Sequence, residues 1–126
     1  MSLFNKLFGG DEPKDQSTPT SFWNKIESEE DLTKVTEKSF ENKVVIFKHS
    51  TRCHISKMVL KNFEKEVANS DKEVTYYLLD LIAHRPISNK IAADYDVIHQ
   101  SPQLIVLEHG IAVKDASHQS ISVNLI

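Results

Sequence analysis

Two apolar runs with one amphipathic stretch between them constrain this chain more than any other feature. The first, Val44-Val45-Ile46-Phe47, has no polar alternation, so both faces of the strand it predicts are covered, as in the central parallel strand of a layered α/β sheet. The second, Val74 to Asp80 (Val-Thr-Tyr-Tyr-Leu-Leu-Asp), reads as the next strand. Between them Ile55, Val59, Phe63 and Val67 recur every four positions and, with Leu60, predict the buried stripe of a helix from Cys53 to about Asn69. A crossover of helix length requires parallel pairing with a right-handed connection. The centre of the fold is therefore a βαβ unit.

The flanks extend this unit. Phe22 to Ile26 is a short possible strand, and Ser28-Glu29-Glu30-Asp31 has the Ser-x-x-acid form of a capping box. It opens a helix to about Phe40, with Leu32, Val35, Thr36 and Ser39 turned inward. Pro86 suits the first turn of a helix through Ile91, Ala92 and Tyr95, because its missing N–H is not needed there. Gln103 to Leu107 and Ile111 to Lys114 are strands joined at Glu108-His109-Gly110, which predicts an antiparallel hairpin at the end of the sheet. Only Ile121 to Ile126 remain for a final helical turn or two. So few apolar residues suggest that a partner subunit, as in a homodimer, covers that face.

With 126 residues, 40% of them hydrophobic, the chain is sized for one domain. Residues 9–20 carry two of its four prolines and two of its three glycines, and no large apolar side chain, so residues 1–20 are expected to be a flexible leader and 21–126 the domain. Leu3, Phe4, Leu7 and Phe8 share one helical face, but two turns make a frayed end. A net charge of −3, without a basic run, argues against nucleic acid as a partner. No stretch approaches the length of a membrane span, and the N-terminus has no export signal, so membrane insertion and secretion are both disfavoured. A lone cysteine fits a reducing compartment, here the cytoplasm.

That cysteine, Cys53, sits where the first apolar run hands over to the amphipathic stretch. A helix N-terminus has unpaired N–H groups and the positive end of the macrodipole, both of which favour thiolate over thiol. The residues alone leave two readings open, a reactive thiol and a buried, inert one, since free Cys is among the most buried residue types. Ser50 or Thr51 is a candidate cap, and Ser56 a candidate donor to the sulfur. His49, Cys53 and His54 cluster without a HExxH or paired CxxC pattern, so no metal is expected. Asp80 and Arg85 either flank a groove or are solvated charges.

Two stretches, Phe47-Lys48-His49-Ser50-Thr51-Arg52-Cys53-His54-Ile55-Ser56 and His99-Gln100-Ser101-Pro102-Gln103, resemble the monothiol bacilliredoxin family over about Phe22 to Ser122. This chain has Arg52-Cys53-His54 where the family more usually has another residue and proline around the cysteine. The resemblance implies a thioredoxin-like fold: a mixed central sheet, a βαβ unit followed by an antiparallel hairpin, and helices on both faces. It also implies a cis Pro102 opposite the cysteine, where the residues alone allow a trans proline opening a strand.

For function, the resemblance implies a thiol-disulfide oxidoreductase that takes bacillithiol from S-thiolated client proteins onto Cys53. Ser56 stands where dithiol relatives place a second cysteine, and a hydroxyl cannot resolve a disulfide, so an external thiol must regenerate Cys53. Arg52, His54 and Ser56 are expected to stabilise the thiolate, and Thr51, Ser101 and Pro102 to hold substrate. Bacillithiol is the implied co-substrate, with no tightly bound cofactor. A non-catalytic adaptor that binds extended peptides beside Pro102 is the alternative, and metal or iron-sulfur carriage a weaker one.

Overall fold

The computed structural model describes residues 22–126, and the expected leader lies outside them. Strand β1 is Asn24–Lys25, α1 Glu29–Lys38, β2 Lys43–His49, α2 His54–Ala68, β3 Val74–Asp80, α3 Arg85–Asp94, β4 Gln103–Glu108 and β5 Ile111–Ser117. Two short 3-10 turns, His118–Ser120 and Val123–Leu125, end the chain. The sheet order is β1-β3-β2-β4-β5, with β1, β3 and β2 parallel, β4 antiparallel to β2, and β5 antiparallel to β4.

Strand β2 is central because it is apolar on both faces. Val44 and Ile46 pack with Leu32 and Val35 of α1 and Ile87 and Ile91 of α3, whereas Val45 and Phe47 pack with Phe63 of α2 and Leu104 and Val106 of β4. All four β2 side chains are fully buried. Burial of each such side chain contributes about 1.5–3 kcal/mol, so this strand anchors both layers of the fold.

The capping box forms with a shift. Ser28 Oγ accepts from Asp31 N–H at 3.1 Å, but Asp31 Oδ2 reaches back to Glu27 N–H at 2.9 Å rather than to the cap residue itself. At the other end α1 stops at Lys38, two residues before the expected limit. Ser39 explains the stop, because it docks this helix end onto the hairpin turn: its carbonyl accepts from His109 N–H at 2.8 Å and its hydroxyl from Gly110 N–H at 2.8 Å. Phe40 is left exposed.

Three expectations are corrected by packing. Strand β1 is shorter than Phe22 to Ile26, because Phe22 and Trp23 turn onto Tyr76 and Phe63, and Trp23 Nε1 donates to the buried Glu64 carboxylate at 2.7 Å. Ile55 does not join the buried stripe of α2 and is 47% exposed. The inward position of the first turn belongs to Ser56, which with Leu60, Phe63 and Val67 keeps the helical spacing of the buried face. Finally, the C-terminal residues form 3-10 turns rather than α-helix, and Ile121, Val123, Leu125 and Ile126 pack on the same face as Phe47 and Phe63. Val123 N–H is held by Glu66 Oε1 at 2.8 Å. The short tail thus packs onto this face of the sheet.

Candidate active site

Cys53 is the N-cap residue of α2, with extended backbone at φ −102° and ψ 121°. Its thiol is free and half-buried. A tight turn places it there: Cys53 N–H donates to Ser50 C=O at 3.2 Å, and Cys53 C=O accepts from Lys57 N–H at 3.1 Å. Neither Ser50 nor Thr51 caps the helix, since no side-chain hydrogen bond closes its N-terminus. The unpaired N–H groups of the first turn therefore face the loop that carries the sulfur. Thr51, Arg52 and His54 are exposed around it.

Ser56 has a different place from the one expected. It is fully buried, its Oγ accepts Ser50 N–H at 3.0 Å, and His49 Nδ1 lies 2.8 Å away. The hydroxyl ties the end of β2 to the first turn of α2, and its hydrogen-bonding capacity is used there instead of at the thiolate. Burial lowers the His49 pKa, partly offset by the Asp80 carboxylate beside it, so the ring is neutral at neutral pH.

Register brings the second motif to the same end of the sheet. Lys48 of β2 pairs with Gln103 of β4, so Pro102 stands beside the strand end that leads to Cys53. The Ser101–Pro102 peptide bond is cis. Gln103, fully buried, braces this loop from beneath: Nε2 donates to Ile98 C=O at 2.9 Å and Oε1 accepts from Gln100 N–H at 3.3 Å. Pro102 C=O is held in turn by His118 N–H at 3.2 Å.

Sequence reasoning assigned no role to Lys48. Its side chain is fully buried, with Nζ 3.0 Å from Ser88 C=O and 3.3 Å from His99 Nδ1. Burial, with the nearby Arg85 charge, lowers its pKa to about 8. The signal was a charged residue directly after the apolar run Val44 to Phe47, within reach of the same strand. Asp80 lines a cleft with His49 and Thr51, whereas Arg85 lies outside that cleft and acts on Lys48 and His99 through its charge. Among the described residues no cluster of metal-ligating side chains occurs, and no helix is long and apolar enough to cross a membrane.

The comparisons agree with this geometry. A solved structure described as a candidate oxidoreductase with a thioredoxin fold is 30% identical, superposes with a TM-score of 0.73, and is matched over 84% of this chain and 91% of that one. Thioredoxin from Malassezia sympodialis is 21% identical at a TM-score of 0.64, over 82% of this chain and 85% of that one. Mitochondrial thioredoxin 3 from Saccharomyces cerevisiae is 17% identical at 0.63, over 80% and 88% respectively. The last two show the fold alone. The model of the family described as monothiol bacilliredoxin BrxC matches residues 24–126. With the thioredoxin fold, a single cysteine at the strand-to-helix junction and a match over nearly the whole described chain, this protein belongs to the monothiol bacilliredoxin family and has a redox function.

Proposed function

We propose that this chain is a one-thiol exchange enzyme that removes bacillithiol from S-thiolated client proteins, with Cys53 as nucleophile. One observation carries the reading: the only thiol stands free and half-buried at the N-cap of α2, and the buried Ser56 occupies the place of a resolving cysteine. Family membership and fold support the same chemistry.

In the first step the Cys53 thiolate attacks the small-thiol sulfur of a client mixed disulfide. A Cys53–S–S–R bond forms, the client's S–S bond breaks, and the client sulfur leaves as a thiolate that takes a proton from water. A second small-thiol molecule then attacks the bound R sulfur. This step forms the symmetrical disulfide, breaks the Cys53–S bond and restores the Cys53 thiolate, with the electron pair supplied by the attacking small thiolate. Arg52 and, when protonated, His54 add positive charge near the developing thiolates. Thr51, Ser101 and Pro102 line the approach, where the backbone of the half-buried Ser101 is placed to pair with an extended client segment. Bacillithiol is the co-substrate, no cofactor is tightly bound, and a reducing cytoplasm keeps the resting thiol free.

The test is intact mass after incubating reduced protein with the disulfides of bacillithiol, glutathione and coenzyme A. One bacillithiol should add to the wild type and none to Cys53→Ser. A wild type left unmodified by all three would refute the reading. Client binding retained by Cys53→Ser, with no transfer by the wild type, would favour the peptide-binding adaptor instead.

A further inference from the structure

A cleft of about 280 Å³ opens beside the Cys53 loop, walled by Lys25, Glu27, His49, Thr51, Asp80 and His84. Ile26 and Leu78, from neighbouring strand segments, form its apolar floor. His49 and Asp80 are register partners at the carboxyl ends of the parallel strands β2 and β3. That end of a parallel sheet is where α/β folds bind ligands. We infer that this cleft holds the body of the exchanged small thiol, and that it selects a thiol bearing both an ammonium and a carboxylate group.

Three features lead there. Thr51 is two residues from Cys53, so their Cα atoms are at most about 7.6 Å apart, and a small thiol whose sulfur bonds Cys53 reaches the cleft without bending the chain. The volume falls just below that of sites for whole drug-sized ligands, which suits one polar portion of a thiol. The wall also mixes charge: Lys25 and His84 offer donors, Glu27 and Asp80 offer carboxylates, and among the described residues no ion pair links Lys25 to Glu27 or Asp80. A dianion would meet Glu27 and Asp80 with like charge, and a simple cation would meet Lys25. A zwitterion pairs with both.

Two wall groups are fixed in advance. Asp80 Oδ1 accepts from Ile82 N–H at 3.0 Å and Ala83 N–H at 3.2 Å, which holds the carboxylate in place and turns Oδ2 into the ligand acceptor. His49 is held through Nδ1 by Ser56, so Nε2 is its ligand-facing nitrogen. Groups held this way lose little freedom when a ligand arrives.

The identity of the occupant rests on the proposed exchange at Cys53, so the test uses probes that cannot exchange. S-methyl bacillithiol and S-methyl glutathione carry ammonium and carboxylate groups, and S-methyl coenzyme A lacks both. Each is titrated into isotope-labelled reduced protein while amide shifts are followed by NMR. The first two should move Lys25, Thr51, Asp80 and His84, and bind at least about tenfold more tightly than the third. Asp80→Asn keeps the Oδ1 acceptor of the turn but removes the charge, and should weaken both by about tenfold, the loss of about 1.4 kcal/mol. Unchanged binding by a variant with a wild-type unfolding midpoint, equal binding of all three probes, or shifts confined to Ser101–Gln103 would each overturn the inference. Cys53 inert to disulfides while the probes still bind the cleft would sink the exchange reading, and with it the occupant's role as an exchanged thiol, and leave only the cleft's selectivity for an ammonium and a carboxylate standing.

Discussion

Lys48 Nζ lies 3.3 Å from His99 Nδ1, an ammonium sealed between β2 and the loop that leads to Ser101–Pro102. The pair joins three elements, because the same ammonium also donates to Ser88 C=O of α3 and Ser88 Oγ lies 3.3 Å from His99 Nδ1. Burial lowers the His99 pKa, and the charges of Lys48 and Arg85 lower it further, so the ring is neutral and its Nδ1 accepts. Both of these acceptors are neutral, and no carboxylate pairs with the ammonium among the described residues. Its charge therefore carries a desolvation cost that the fold tolerates in exchange for a fixed loop.

That cost depends on pH. Lys48 has a pKa of about 8 in the fold against 10.5 ordinarily, so between these values the unfolded chain holds a proton that the folded chain lacks, and stability rises with pH. Lys48→Met removes the term. From pH 7 to pH 10 the stability difference between the two proteins should move in favour of wild type by roughly 2 kcal/mol, measured by urea unfolding. Parallel profiles would show that Lys48 is not buried in its charged form.

Acid acts through two histidines. Both His49 and His99 have lowered pKa values, each first through burial, so as pH falls below about 6.5 the unfolded chain takes protons that the folded chain refuses. Their stabilisation is full above the unfolded value and is lost on acidification. Thermal unfolding followed from pH 7 to pH 5 should show a falling midpoint, and a smaller fall in His99→Gln. An equal fall in wild type and variant would remove His99 from the account.

Ser56 separates structure from chemistry. Ser56→Ala leaves Ser50 N–H and His49 Nδ1 without their buried partner, and should cost about 1–3 kcal/mol in chemical denaturation. Ser56→Cys, in contrast, restores a second thiol one helical turn from Cys53. After treatment with a small disulfide this variant should end as an internal disulfide two mass units lighter, with no small thiol retained, whereas wild type keeps the added mass. Retention by the variant would show that position 56 is held too deep to resolve.

The hairpin turn offers a test of backbone conformation. His109 and Gly110 both have positive φ, 54° and 81°, as a two-residue turn matched to strand twist requires. A Cβ on Gly110 would lie 2.9 Å from Phe40 Cζ, an exposed ring able to move, so backbone strain decides the outcome. Gly110→Ala should lower stability by about 1–2 kcal/mol. A neutral result would mean that the turn relaxes to another form.

What the sequence by itself determined is the order and type of the elements and the end of the sheet where the thiol sits. Val44 to Phe47, the helical spacing of Val59, Phe63 and Val67, and Gly110 each state a local rule, periodicity or backbone freedom, that holds whatever lies across the sheet. Tertiary structure alone decided the partners. Ser56, not Ile55, took the inward place on the first turn of α2, where its hydroxyl meets Ser50 N–H and His49 Nδ1, and Glu66 holds the tail that packs in one cluster with Phe47. The burial of Lys48 against His99, and the cleft between Lys25, His49 and Asp80, join residues from segments far apart in sequence. Such contacts follow from strand register and helix packing, and no local pattern records them.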